Sequence, residues 1–293
     1  MSQKKLRLIY NPYAGRRRMV NQLDEVIRIF QEGGYEVRVH RTKSPEDIEH
    51  TAAQSKDVDT LVIAGGDGSV HQVVNGLMKI PAEKRPVLGI LPVGTANDLA
   101  YAIKLPKSIP AACKVIVQDK TFEMDLGKVN ERYFVNVASA GMLTDVSTKV
   151  DIRVKNSLGQ LAYYLKGIET LPSFRPFHVE FAHEGRKYSE DALLLLAVNG
   201  LSVGGFRQLV PRASLIDGKL DFLLVKLGGW PETMRLLLKV VGGGKVECDK
   251  IIHFQTEYVR VTCDRELSSD LDGELGPDSP WEIAIGPKIK VLC

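Results

Sequence analysis

Apolar positions in the first third of the chain switch between the spacing of a strand and the spacing of a helix. Residues 6–10 (Leu6-Arg7-Leu8-Ile9-Tyr10) read as a strand ending in the turn Asn11-Pro12-Tyr13-Ala14-Gly15. Met19, Leu23, Val26, Ile27 and Phe30 then recur at helical spacing, and Gly33-Gly34 closes that helix. Residues 35–40 alternate as a strand, and Ser44-Pro45-Glu46 opens the next helix with a cap and a proline at its first position. Residues 61–64 and 87–91 are apolar runs that predict a third and a fourth strand, with a helix between them carrying Val70, Val73, Val74, Leu77 and Met78. Such alternation predicts an α/β domain: a doubly wound parallel sheet with helices on both faces. Ligands of such sheets bind beyond the carboxyl ends of the strands. Three turns fall there, at residues 11–15, 65–69 and 92–98.

The pattern changes after about residue 120, where short strand-like runs recur with turns between them. They cover residues 122–129, 133–137, 178–182, 193–198, 220–225, 258–263 and 281–285. This predicts a mostly antiparallel second domain, a β-sandwich or flattened barrel, interrupted by helical inserts at 157–171 and 231–241. The expected division is an α/β domain over residues 1–125 and a β-rich domain over 126–286. Residues 287–293, which hold the run Ile289-Lys290-Val291-Leu292, are a candidate to return to the first domain.

The richest local chemistry is Gly65-Gly66-Asp67-Gly68-Ser69, directly behind the apolar strand. Glycines let backbone N–H groups approach an anion with no Cβ in the way, and a following helix points its positive end at the same place. One acid in such a turn repels a phosphate by itself, so Asp67 is expected to work through a metal ion, a ribose or a hydrogen-bond network. Asn11 to Gly15 is either an ordinary strand-to-helix turn or a second wall for phosphates. Gly94-Thr95-Ala96-Asn97-Asp98 offers an N–H, a hydroxyl, an amide and a carboxylate; Asn97 or Asp98 also suits a plain helix cap. Ser269-Asp270-Leu271-Asp272-Gly273-Glu274 is an acidic turn that serves either as an exposed loop or as the seat of a general base. Asp217-Gly218-Lys219-Leu220-Asp221 reads most simply as a turn before a strand, and His71 as a helix or network residue.

A net charge of +3 over 293 residues is too small to argue for nucleic acid. Local basic groups, such as Arg16-Arg17-Arg18, Arg153 with Lys155, and Arg207 with Arg212, suit either a solvated surface or an anionic one. The four cysteines (Cys113, Cys248, Cys263, Cys293) show no metal spacing and read as thiols of a reducing cytosol. The chain enters a strand directly after Met1-Ser2-Gln3-Lys4-Lys5, so no signal peptide is expected. The longest apolar run, residues 192–198, is far short of the roughly 20 residues that cross a bilayer.

Taken in order, Asn-Pro-x-x-Gly (11–15), Gly-Gly-Asp-Gly-Ser (65–69), Pro-x-Gly-Thr-x-Asn-Asp-Leu-Ala (92–100), Asp-Gly-Lys-Leu-Asp (217–221) and Asp-Gly-Glu (272–274) run the length of the chain. The set resembles the diacylglycerol kinase catalytic-domain family, in particular its soluble bacterial lipid kinases. The glycine turn alone is shared with NAD kinases and resembles phosphofructokinases. The stretch from Gly94 to Ala100 points to lipid kinases, including relatives acting on sphingoid bases and ceramide.

The resemblance implies ATP and Mg²⁺ as cofactors and a nucleotide cleft between the two domains. It implies nucleotide contacts at Asn11, Pro12, Tyr13, Ala14, Gly15, Thr42, Gly65, Gly66, Asp67, Gly68, Ser69, Val70, His71, Gln72, Gly94, Thr95, Asn97 and Asp98. It implies a base in the last turn, Glu274 by first choice with Asp272 as partner, and a structural Mg²⁺ held by Asp217 with the carbonyls of Ser214 and Lys219. Asp67 and Asp98 would join a water network linking that ion to the phosphates. Ser69 stands where the family usually has Thr and keeps the hydroxyl; Gln72 stands where Glu is common and loses a charge.

The expected reaction is phosphorylation of the hydroxyl of diacylglycerol or a similar lipid. The protein would be cytoplasmic, touching the inner face of the membrane peripherally, with the lipid's acyl chains in the second domain; residues 141–171 read either as an interfacial lip or as a plain core-and-surface helix. A homodimer is an expectation from the family alone. A kinase of a soluble acceptor such as NAD, and a non-catalytic nucleotide-binding regulator, stay open as alternatives.

Overall fold

The computed structural model describes residues 3–141, 176–200, 202–203, 206–207, 210, 213–227 and 249–293. The chain divides into two compact units, Met1–Met124 with Pro287–Cys293, and Asp125–Gly286. In chain order the first unit runs β1 (Lys4–Tyr10), α1 (Arg18–Glu32), β2 (Tyr35–Arg41), α2 (Pro45–Ala53), β3 (Thr60–Gly65), α3 (Asp67–Leu77), β4 (Val87–Pro92), α4 (Asp98–Ala102), α5 (Ile109–Val117) and β5 (Thr121–Met124). The second unit follows with β6 (Gly127–Val129), β7 (Arg132–Phe134), β8 (Val137–Gly141), β9 (Phe177–His183), β10 (Arg186–Val198), β11 (Ser202–Val203), β12 (Phe206–Arg207), β13 (Leu220–Lys226), β14 (Ile251–Thr256), β15 (Tyr258–Cys263), β16 (Ser268–Leu271), β17 (Glu274–Asp278) and β18 (Trp281–Ile285). The last strand, β19 (Ile289–Leu292), lies in the first unit.

The first sheet has the order β2-β1-β3-β4-β19-β5. Its strands are parallel except β5, which pairs antiparallel to β19. All six residues of β3 are buried, as a central strand covered on both faces requires. Leu6, Leu8, Tyr10, Val62, Ala64 and Leu91 pack against α1 and α5. On the other face α3 lies on β3, and α2 approaches α3 so closely that a Cβ on Gly76 would sit 2.4 Å from the Glu49 carbonyl oxygen. The chain steps from β1 outward to β2, then returns to place β3 on the other side of β1. The switch point of the topology is therefore the β1/β3 boundary, where such sheets receive their ligands.

The second unit is built on an antiparallel sheet whose main path is β17-β16-β8-β10-β9-β15-β18-β6-β7, with β13 and β14 branching from β10. Phe134, Phe177, Phe181, Phe222, Val261 and Trp281 form its main core. The end of β10 is apolar on both faces: Leu195 and Ala197 join that core, while Leu194, Leu196 and Val198 enter a second cluster with Val137, Val210 and Ala213.

Both expected sheets are present, and four local readings change; the expected strand at 133–137 is broken at 135–136 between β7 and β8. The expected strand at 122–129 is two strands, one in each sheet, broken at Asp125, which is buried and spends its backbone and side chain on a turn 90 residues downstream. β10 begins at Arg186 rather than 193, because its first half (Arg-Lys-Tyr-Ser-Glu-Asp) is polar and largely solvated. Asp67, Gly68 and Ser69 are the first turn of α3 rather than a loop before it. The expected helical inserts and the expected membrane lip lie outside the described residues.

Candidate functional site

The nucleotide-site candidates of the first unit come together at the carboxyl edge of its parallel strands. Tyr10 ends β1, and the next N–H, that of Asn11, donates to the Ala64 carbonyl at 3.0 Å, tying the β1 and β3 exits across the switch point. Asn11 also accepts the Tyr13 N–H on its side-chain oxygen at 2.9 Å, which shapes the turn. Pro12 is buried and Ala14 half-buried, while Tyr13 is 70% exposed, with the Arg41 guanidinium 6.0 Å from its ring centre. Thr42 is buried at the end of β2, its N–H on the Tyr10 carbonyl at 3.1 Å.

Two glycines let the loops meet backbone to backbone, and a third makes room for a side chain. Gly15 has φ +54°, and a Cβ there would lie 1.8 Å from the Val93 carbonyl oxygen. A Cβ on Gly94 would lie 2.4 Å from the Cα of Gly66. One on Gly65 would lie 2.3 Å from the Cβ of Ser69. The Gly65 carbonyl accepts the N–H groups of both Val93 and Gly94, at 3.1 and 3.2 Å. The close approach of three strand ends is thus possible only because side chains are missing from them.

Asp67 is the one acid in the glycine turn, and its carboxylate is a staple. One oxygen accepts the Asn97 N–H at 2.9 Å and the other the Asp98 N–H at 2.7 Å, capping α4 from a neighbouring loop. Asn97, the N-cap residue, does not cap α4 with its own side chain: it adopts φ +54° and donates its amide to the Gly94 carbonyl at 2.8 Å; Asp98 is buried. Thr95 is exposed at the tip of this loop. Gly66 is the N-cap of α3, so the N–H groups of Asp67, Gly68 and Ser69 are the helix's first donors, which have no acceptor within the helix itself. They and the positive end of the helix dipole favour an anion there. Val70, His71 and Gln72 follow in the helix; His71 is buried, with Nε2 3.3 Å from the Asn75 amide.

The remaining candidates lie in the second unit. Asp272 and Gly273, with φ of +56° and +91°, form the two-residue corner between β16 and β17, the geometry that Asp-Gly favours. The Asp272 carboxylate accepts three backbone N–H groups, from Val135 at 2.7 Å, Asn136 at 2.8 Å and Val137 at 3.1 Å. Its own N–H returns to the Val137 carbonyl at 2.9 Å. Asp270 accepts the Gly273 N–H at 2.8 Å. Glu274 is the first residue of β17 and half-buried.

Ser214, Asp217 and Lys219 share one tight turn. Asp217 accepts the Lys219 N–H at 3.1 Å, and Ser214 Oγ the Ile216 N–H at 3.4 Å. Among the described residues no three His, Cys, Asp or Glu side chains cluster as a metal site. The turn's donors are one carboxylate and main-chain carbonyls, hard oxygens of the kind Mg²⁺ accepts. Burial pushes the Cys113 thiol up to about 12 and the Cys263 thiol to about 11, which disfavours the thiolate of both.

Sequence reasoning missed three buried polar residues that hold these turns: Asp125, Asn136 and Asn199. The available signal was position, since Asp125 interrupts an apolar stretch and Asn199 ends the buried run of β10.

Two family models match the chain. The diacylglycerol kinase catalytic domain covers residues 5–129, and the YegS C-terminal NAD kinase beta sandwich-like domain covers 136–293. A diacylglycerol kinase of Bacillus subtilis (strain 168) is 38% identical over 282 residues, covering 95% of this chain and 92% of that protein. One from Staphylococcus haemolyticus (strain JCSC1435) is 35% identical over 280 residues, 95% of this chain and 84% of its own length. A crystal structure of a diacylglycerol kinase from Bacillus anthracis str. Sterne matches with a TM-score of 0.80 at 25% identity, covering 100% of this chain and 97% of that one.

Proposed function

We propose that this chain, which belongs to the diacylglycerol kinase catalytic-domain family, is an ATP-dependent lipid kinase that phosphorylates the hydroxyl of diacylglycerol or a similar lipid. The observation that carries the reading is the convergence of residues 11–15, Thr42, the α3 N-terminus and residues 94–98 on one sheet edge at the switch point. That edge offers N–H donors and a helix dipole to a phosphate chain, and phosphoryl transfer depends on positioning and charge stabilisation.

Glu274 is the proposed base: it takes the proton of the acceptor hydroxyl as the oxygen attacks the γ-phosphorus and ADP leaves. Asp272 is the proposed holder of that turn, because its carboxylate is committed to three N–H groups. Asp217 and the carbonyls of Ser214 and Lys219 would hold Mg²⁺, which when bound supplies positive charge. The acceptor's acyl chains call for peripheral contact with a membrane surface; no helix among the described residues is long and apolar enough to cross one.

The test is transfer of radiolabelled γ-phosphate from ATP to lipids in mixed micelles with Mg²⁺. Label in phosphatidic acid is the expected result. Label on another lipid keeps the mechanism and changes the acceptor. Label on NAD alone, or on nothing while ATP still binds, overturns the lipid reading.

A further inference from the structure

One buried amide joins the two functional turns of the second unit. Asn199 follows directly on β10 and is 1% exposed. Its side-chain Nδ2 donates to two main-chain carbonyls, Asp125 at 2.9 Å and Val135 at 2.8 Å. Its own N–H donates to the Asn136 carbonyl at 2.8 Å. The carbonyls of Val135 and Asn136 are therefore on Asn199, while the N–H groups of 135–137 and the Val137 carbonyl are on Asp272, the residue that forms the corner before Glu274. Residue 125 leads to the other turn: its N–H donates to the Leu215 carbonyl at 2.6 Å, and its carboxylate accepts the Gly218 N–H at 2.8 Å.

We propose that Asn199 is a positioning residue that sets the Asp-Gly-Glu turn in register with the 214–219 turn. The inference rests on the proposed roles of Glu274 and Asp217. The chemistry requires an amide: two carbonyls must be bridged, and the two N–H bonds of one –NH₂ group do that with no net charge. An aspartate at this position would turn a carboxylate oxygen on both carbonyls, and a serine could satisfy one of them. Both side-chain donors of Asn199 are committed to main-chain carbonyls, so its effect on turnover runs through placement of the base. A base displaced by a fraction of an ångström loses turnover rather than nucleotide affinity.

The test uses Asn199→Ser in the full chain, with two readouts. Steady-state kinetics should show kcat lowered about 10–100-fold with the KM for ATP within about threefold, and more Mg²⁺ needed for half-maximal rate. Amide hydrogen exchange should be faster by about tenfold at residues 135–137, Gly218 and Asp272, and unchanged in β15. A folded variant whose kcat matches wild type overturns the proposal, as does unchanged exchange at either turn. If Asn199→Ser does not fold, Asn199→Gln, which keeps both donors but shifts them by one methylene, must show the same two changes in milder form. Should wild type phosphorylate no lipid, the functional reading has failed, and the exchange data alone still decide whether Asn199 couples the turns.

Discussion

The candidate turns of the two units are held in place by opposite means. In the first unit, order comes from the absence of side chains: Gly15 and Gly94 let loop backbones meet where no Cβ fits, and Gly65 leaves room for Ser69. In the second, it comes from polar side chains reaching far along the chain: Asp272 gathers three N–H groups, and Asn199 two carbonyls. An anion site made of N–H groups must keep bulk away from a ligand that comes close to the backbone. A base must hold one carboxylate at one spot, which calls for directional bonds around it. The two should therefore fail differently, the first to added atoms and the second to removed bonds.

The sharpest break in this comparison lies within one turn. Glu274→Gln removes the proposed base and little structure, so kcat should fall by about 10²–10⁴-fold with an unchanged unfolding curve. Asp272→Asn keeps the shape but turns an amide N–H toward backbone donors. It should lower stability by about 2–3 kcal/mol and kcat by about 10–100-fold. Urea unfolding beside steady-state kinetics separates the two. A stable Asp272→Asn protein with no turnover would reverse the roles.

The same contrast explains what could be read from the chain. The glycine turns were legible because the signal is local: an apolar run, glycines, then helical spacing within about 20 residues. The start of α3 at Asp67 was masked by those same glycines, which look like loop although Gly66 is a cap. The role of Asp272 was illegible because its partners lie 135–137 positions upstream, and no periodicity connects them. Asn199 was equally silent, being one amide at the end of a buried strand. The first half of β10 was missed for a third reason: a solvated segment paired with β9 alone needs few apolar residues. Backbone-made features announce themselves in composition, and features made by long-range side-chain bonds do not.

A smaller effect sharpens the glycine half. Gly15 and Gly34 both have positive φ, but a Cβ on Gly15 meets the Val93 carbonyl at 1.8 Å, while one on Gly34 meets nothing within 4 Å. Gly34→Ala carries backbone strain alone, about 1 kcal/mol. Gly15→Ala adds overpacking and should cost about 3 kcal/mol, with weaker ATP binding because the β1 and β4 exits must part. Thermal unfolding of both, with nucleotide titration of the folded proteins, measures the difference. Equal losses would mean that conformation, and not close approach, is what glycine supplies.

The smallest effect sets the scale for the polar half. His178 Nδ1 lies 2.7 Å from Asp191 Oδ1 on the surface of β9 and β10, with side chains 37% and 62% exposed. The hydrogen bond to the carboxylate holds the His178 imidazole above its usual value of about 6.5. Its protonated form is favoured in the folded protein, so the contribution is full below the unfolded value and is lost as pH rises through the higher folded value. An exposed pair of this kind contributes less than about 1 kcal/mol. Asp191→Asn should therefore lower Tm slightly at about pH 5.5 and leave it unchanged by about pH 9. Asp272 also uses a carboxylate to accept N–H groups, but half-buried and from three backbone donors at once. If Asp191→Asn at low pH costs as much as Asp272→Asn, burial and number of bonds are not what make the Asp-Gly-Glu turn rigid. If it costs a small fraction, the Asp-Gly-Glu turn owes its order to carboxylate bonds sheltered from water.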